Sequence, residues 1–453
     1  MSQPRPQKRV KPSMENAPGS TAKDPEVFIN LLDNYKKVKH VPHVRTIDHI
    51  FTKDSSLGDI GSLQSVLILT FLHNLDLIQS YLDQGVRFVI VSDCQKDTTK
   101  TTLEDCHGPN LKLIYPKRTF GQNSPSTFHP KLYVLRFKRA LRIVVGSGNL
   151  INCDWHRYAN VFWRKDFPML AHNEPDCKPS AFVSYLRQFV NQCTAPFAGD
   201  IDRFLQLNLA RYRVEETGVH LISSIPFKWM PDADFDVSFY RGLKILKANR
   251  PKTPFRLDST RVFYVTSSLG CLNFKLLYDF SKMIFSDSAF DWDFAVAHKD
   301  QLVSMFNVVF PSANYISGSY FGESRANCLF LRRMMYDSFK FQKSIMRAFE
   351  GNLNVEGNNS VLPHYKIFLV THNGLVDDDT IVYIGSHNFT QSAWGKFEKN
   401  DQGIEVFNYE LGLIWPSKPN SALSKTQMVE SFGINFPPPK YSQHDHPFFV
   451  INN

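Results

Sequence analysis

The sequence predicts an α/β chain carrying two copies of one strand–turn–strand unit that face each other across a single site. Three observations carry this. Helix-like and strand-like stretches alternate along the body. A unit with the same flanking motifs occurs twice. The composition suits a folded core: of 453 residues, 43% are apolar and 21% charged, which excludes a disordered chain. The length sets a prior of two or three domains.

The first 24 residues read as a disordered tail, with Pro4, Pro6, Pro12 and Pro18 followed by Gly19, Ser20 and Thr21. No apolar stretch there suits a secretory signal, and no segment of the chain reaches the ~18 apolar residues of a membrane span. Lys8-Arg9-Val10-Lys11 resembles a nuclear import core, with a solvated basic tail as the competing reading. His73–Asp83 carries Leu75, Leu77, Ile78 and Leu82 at helical spacing, with Gly85 as a stop. Arg87–Val91 reads as a buried strand. Ala181–Gln192, Ile201–Tyr212, Phe274–Phe285 and Arg332–Phe349 read as helices. The polar, proline-bearing stretch from Pro226 to Asp236 marks a boundary, dividing the chain into 25–228 and 229–453.

Seven cysteines, an odd number without C-x-x-C, argue against a disulfide framework or zinc cluster and for a reducing compartment. The net charge of +9 suits anionic partners such as nucleic acid without establishing them.

The first copy of the repeat reads His129-Pro130-Lys131, strand Leu132–Phe137, a basic turn, strand Leu141–Val145, then Gly146-Ser147-Gly148-Asn149. The second reads His364-Tyr365-Lys366, strand Ile367–Val370, an Asn373-Gly374 turn, strand Ile381–Ile384, then Gly385-Ser386-His387-Asn388. Six residues after each asparagine stands a tryptophan, Trp155 and Trp394, read as core packing. Beyond each tryptophan a polar residue precedes an apolar strand: Asn160 before Val161-Phe162-Trp163, and Glu410 before Leu411–Trp415.

On a strand, residues i and i+2 share a face, so the His and Lys of each motif reach one ligand. Lysine brings a point charge and asparagine an amide donor, both suited to phosphate oxygens. Two copies face to face put one histidine on either side of a phosphorus. In-line displacement needs that arrangement, a nucleophile opposite a proton donor. Lys131, Lys366, Asn149 and Asn388 then surround the equatorial oxygens. One histidine must be neutral and the other protonated. A carboxylate on the second ring nitrogen fixes the ring, with Glu410 the candidate and Asn160 its neutral counterpart. No metal or other cofactor is needed. His156, His372 and His387 are read as local hydrogen-bonding residues, and Asp377-Asp378-Asp379 as a solvated turn rather than a cation site.

These paired motifs resemble the phospholipase D superfamily, whose motif is H-x-K-x-x-x-x-D followed by G-S-x-N. Arg136 and Thr371 stand at the two aspartate positions. Their replacement, with Asn160 and Glu410 later in each half, resembles the tyrosyl-DNA phosphodiesterase family. Asp154-Trp155-His156, Ser392-Ala393-Trp394-Gly395, Glu398-Lys399-Asn400 and Tyr409-Glu410-Leu411-Gly412 agree with it, and Thr266-Ser267-Ser268-Leu269-Gly270 resembles its serine-rich loop at the DNA strand. The resemblance spans about residues 25–445. It implies two phospholipase D-like α/β/α sandwich domains related by a pseudo-two-fold axis, with the active site at their interface.

It further implies a nuclear repair hydrolase that removes topoisomerase I peptides from DNA 3′ ends, single-stranded, nicked or double-stranded, and an exonuclease; one chain holds both half-sites, so a monomer needs no partner to complete them. By the resemblance His129 attacks the 3′-phosphate to form a phosphohistidine. His364 protonates the tyrosine leaving group and then activates water, leaving a 3′-phosphate. Lys131, Lys366, Asn149 and Asn388 bind the phosphate, Ser268 lies at the strand, Glu410 supports His129 and Asn160 supports His364. The family usually carries glutamine where Asn160 stands, one methylene longer. Pro130, lacking an N–H, suits a strand start or edge. The competing readings are another superfamily phosphodiesterase, lipid-directed or a nuclease, and an inert nucleic-acid binding module. Loss of the motif aspartates speaks against the first and the intact H-x-K pair against the second.

Overall fold

The computed structural model describes residues 26–30, 32, 44–93, 100–105, 108–118, 126–214, 218–231, 233–286, 290–338, 342–351, 354–355, 359–398, 402–416 and 424–450. The tail with Lys8–Lys11, Cys94, Cys106, Lys399 and Asn400 lie outside the described residues.

Two large mixed sheets organise the chain. The first runs, edge to edge, Val44–Arg45, Val27–Asn30, Val161–Pro168, Ala140–Gly146, Leu132–Phe137, Leu63–Thr70, Arg87–Ser92, Leu111–Tyr115 and Thr102–Glu104. The second runs His220–Ser224, Glu410–Trp415, Ile381–Gly385, Ile367–His372, Thr260–Val265, Phe306–Phe310 and Met346–Ala348. The second order repeats the first from Val27–Asn30 to Leu111–Tyr115, strand for strand. Parallel and antiparallel pairings coincide as well. The duplication thus covers a whole seven-stranded sheet, well beyond the motif region. The strand His220–Ser224 already belongs to the second sheet, ahead of the boundary read at 228/229.

Alternation sorts the first sheet's side chains onto two faces. Val66, Ile68, Phe88, Ile90, Tyr133, Leu135 and Phe162 fill one core, beneath Leu75, Leu77, Tyr81 and Leu82. Leu67, Leu69, Val89, Val91, Val134, Val145 and Trp163 fill the other, which runs on without a break into the second sheet. The helix Ala181–Thr194 packs on the strand His220–Ser224 of that second sheet, burying Phe182, Tyr185, Leu186 and Phe189 on one stripe. Trp155 and Trp394 are fully buried, as their core reading requires. Among the described residues no helix is long and apolar enough to cross a membrane.

Three expected helices differ. His73–Asp83 is a 3₁₀ turn, Leu75–Leu77, capped by Asn74, followed by the short helix Gln79–Asp83. Ile201–Tyr212 shifts toward the N-terminus: the helix is Ala198–Leu205. Gln206 ends it in the left-handed region at φ 52°, its N–H bonding the carbonyl of Arg203. Arg332–Phe349 divides into Arg333–Asp337, Gln342–Ile345 and the edge strand Met346–Ala348. There the open backbone groups of Phe306–Phe310 take a strand partner, outweighing helical propensity. The expected helix Phe274–Phe285 and strand Arg87–Val91, the latter extended to Ser92, stand.

Candidate active site

The site forms where the halves exchange backbone bonds. Phe128 bridges Tyr409, and His129 N–H donates to the Tyr409 carbonyl at 3.0 Å. In the opposite sense, Leu362–Pro363 pairs with Tyr158–Ala159, and His364 N–H donates to the Ala159 carbonyl at 2.9 Å. Each histidine is thereby laid beside the polar residue that opens a strand of the other half.

The side chains follow the same crossing. His129 Nδ1 lies 2.8 Å from Glu410 Oε2, and Ser386 Oγ donates to that oxygen at 2.5 Å. His364 Nδ1 lies 2.9 Å from Asn160 Oδ1, and Ser147 Oγ donates to that oxygen at 2.9 Å. The amide direction of Asn160 is fixed by its nitrogen, which donates to the carbonyls of Asp154 at 2.8 Å and Tyr158 at 3.2 Å. Both Nδ1 atoms are therefore engaged, one by a carboxylate oxygen and the other by an amide oxygen.

The lysines are wholly buried, each bonded to the carbonyl of its own motif histidine: Lys131 Nζ to His129 O at 2.6 Å, Lys366 Nζ to His364 O at 2.9 Å. The two asparagines have their carbonyl oxygens tied down. Asn388 Oδ1 accepts from Thr266 Oγ1, Ser267 Oγ and the Ser268 N–H at 3.1–3.2 Å. Asn149 Oδ1 accepts from the Phe71 N–H at 3.3 Å, and its nitrogen donates to Asp154 at 2.9 Å. The glycines of G-S-x-N serve the strand crossing: a Cβ on Gly385 would stand 2.4 Å from Gly412 Cα, and one on Gly146 2.7 Å from the Val161 carbonyl.

Burial dominates the electrostatics. It pushes His129 well below the usual imidazole range, helped by Lys131 and Lys366, and His364 likewise, helped by Lys366 and Lys131. Lys366 is brought down to about 7, first by burial, against the pull of Asp154. Lys131 is lowered for the same reason, opposed by Glu410. Burial raises Glu410 and Asp154. An anion entering among these groups reverses the balance, because it compensates the cations that burial disfavours.

His129 and Glu410 open onto a cleft of about 260 Å³ whose walls include Ser268, Asn388, Phe330 and Met335. A larger apolar pocket of about 340 Å³, by Phe255, Phe290 and Ile381, holds none of these groups. All eight expected site residues converge at this junction, and Ser268 lies on the cleft wall. His372 bonds the Thr253 carbonyl, and His387 bonds Tyr383 and Ser224, both local roles. Asp379 accepts two backbone N–H groups, and Asp377 the Thr380 hydroxyl. The sequence reading missed Phe330, Phe71, whose ring lies 5.6 Å from His129, and Asp154. For the first two no pattern signals them; for Asp154 one does, since the matching position in the second copy is Ala393.

Two duplicated sheets joined at paired H-x-K and G-S-x-N motifs define the phospholipase D class of α/β folds. Within it, the chain belongs to the tyrosyl-DNA phosphodiesterase family, whose family model matches residues 27–448. Tyrosyl-DNA phosphodiesterase 1 of Arabidopsis thaliana is 24% identical over 382 residues, covering 80% of this chain. The chain spans 59% of the length of that relative. The yeast tyrosyl-DNA phosphodiesterase crystal structure superposes with a TM-score of 0.69 at 13% identity, over 94% of this chain and 99% of that one. A histidine-to-alanine mutant of the yeast protein gives 0.66 at 14%, over the same shares of each chain.

Proposed function

We propose that this chain hydrolyses the 3′-phosphotyrosyl bond between DNA and a topoisomerase I peptide, leaving a 3′-phosphate. It acts as a monomer in the nucleus and without metal. The observation that carries the reading is the pair of histidines whose Nδ1 atoms are held by acceptors from opposite halves. Family membership and the likeness to Arabidopsis thaliana tyrosyl-DNA phosphodiesterase 1 support the substrate.

His129 Nε2 attacks phosphorus. The P–O bond to tyrosine breaks, its electron pair passes to the phenolic oxygen, and that oxygen takes the proton from His364 Nε2. Lys131, Lys366, Asn149 and Asn388 hold the phosphoryl oxygens through the transition state. Water then attacks phosphorus, giving its proton to His364, and the P–N bond breaks with the pair returning to His129. Glu410 keeps His129 in the tautomer that exposes the Nε2 lone pair and stabilises the ring when phosphorylated. Asn160 orients His364, and Ser268 lies along the DNA strand. The two halves, 25–228 and 229–453 apart from the early strand His220–Ser224, act as domains that each complete the other's histidine.

The test is cleavage of a single-stranded oligonucleotide bearing 3′-phosphotyrosine in excess EDTA, beside His129→Ala and His364→Ala. Tyrosine release by the wild type alone is expected. Tight DNA binding without release would sink the assignment in favour of a binding module. Release that EDTA abolishes would sink the metal-free mechanism.

A further inference from the structure

Asp154 sits behind the acid/base side of the site and is only 2% exposed. Its Oδ2 accepts from the Asn149 N–H at 2.6 Å and from Asn149 Nδ2 at 2.9 Å. The same oxygen stands 3.5 Å from His364 Nδ1. Asn160 Oδ1 is nearer to that nitrogen but neutral, so it orients the ring without offsetting a positive charge. Other groups facing the pair are Lys366, Lys131 and His129, all of which oppose a charged His364. Cys153 Sγ lies 3.8 Å from Asp154 Oδ1, the Tyr158 ring 6.2 Å from the His364 ring, and Cys328 feels the Asp154 charge. Among the described residues, Asp154 is the carboxylate within ion-pair reach of His364, as Glu410 is for His129.

We propose that Asp154 is the charge partner of His364, a positioning residue that stabilises the imidazolium consumed in the first half-reaction and re-formed in the second, while it aims the Asn149 amide at the phosphate. Each histidine then has a carboxylate, delivered differently: Glu410 directly on Nδ1, Asp154 beside a neutral amide. This rests on the acid/base assignment of His364 given above.

The leaving group separates this role from a purely structural one. A 4-nitrophenolate departs without a proton, whereas tyrosine requires the proton of His364. Single-turnover cleavage of oligonucleotides with 3′-phosphotyrosine and with a 3′-(4-nitrophenyl phosphate) is compared for wild type and Asp154→Asn across pH. Asp154→Asn retains an oxygen for Asn149. It is expected to slow tyrosine release on the order of 10²-fold and to leave nitrophenol release within about threefold at every pH. Asp154→Ser, one atom shorter, is the second variant: it slows tyrosine release as strongly and nitrophenol release less, the latter because the Asn149 amide is no longer held. Equal slowing on both substrates, or an unchanged tyrosyl rate, overturns the proposal alone. A wild type that releases neither leaving group overturns the site's reading and this proposal with it.

Discussion

His364 Nδ1 and Asn160 Oδ1 lie 2.9 Å apart, the geometric twin of His129 Nδ1 and Glu410 Oε2 at 2.8 Å, although one acceptor is an amide and the other a carboxylate. The shorter asparagine reaches because Tyr158–Ala159 runs hydrogen-bonded beside Leu362–Pro363.

Restoring the family's usual glutamine is therefore harmful here. Gly148 already packs so near that a Cβ on it would stand 2.9 Å from Asn160 Cγ. Asn160→Gln overfills this space at a cost of about 1–3 kcal/mol. The expected outcome is a lower melting temperature and a several-fold lower kcat, read by calorimetry and steady-state cleavage. An improved kcat would show that the site has room to spare.

Glu410→Gln keeps the shape but removes the charge that supports His129. A loss of roughly 10²–10⁴-fold in the first turnover is expected, the range found for general acid–base partners. Quenched-flow measurement of phosphohistidine formation reads it directly. Unimpaired formation would leave Glu410 with a scaffolding role through Ser386 only.

Lys366 sets the alkaline behaviour. With its ammonium brought down to about 7 by burial, it is charged below that pH and neutral above it. The free enzyme therefore loses phosphate affinity as pH rises, and kcat/KM falls through about pH 7. His129, held well below its usual range, stays neutral and nucleophilic on the acid side. Lys366→Arg, charged to beyond about pH 12, is expected to abolish the alkaline limb while lowering the maximum. A limb unmoved by that substitution would assign it to another group.

Far from the cleft, Lys425 is fully buried, and its ammonium donates to the carbonyls of Thr380, Pro416 and Trp415 at 2.7, 2.8 and 3.2 Å. It ties the chain after the strand Glu410–Trp415 to the loop before Ile381–Gly385. Lys425→Met retains the stem and strands three acceptors. Destabilisation of about 1–3 kcal/mol is expected in urea melts, with kcat unchanged at room temperature. An unchanged midpoint would mean that the carbonyls find other donors.

The histidines, lysines and asparagines were legible because the same short words recur in both halves. Their strands were legible because Leu132–Phe137 and Ile367–His372 are almost continuously buried apolar runs. The full extent of the duplication was not. Val27–Asn30 and His220–Ser224 hold equivalent places in their sheets, yet VFIN and HLISS share no pattern. A buried strand asks only for apolar bulk. The broken stretch 332–349 misled for the opposite reason: its apolar spacing suits a helix, while the need was for an edge strand. Asp154 lay in view beside Trp155, but that its oxygen would meet both Asn149 and His364 depends on how two remote segments cross.

The crossed pairing of the halves has a consequence for direction. A site assembled from two identical copies would read the same from either end, and a substrate could lie in it both ways round. In this chain one copy contributes Asn160 and Asp154 where the other contributes Glu410 and Ala393. The two faces are therefore chemically unlike, and under the proposed function a strand and what is attached to it meet different groups. Two copies joined in one polypeptide can differ in this way, whereas two identical chains cannot.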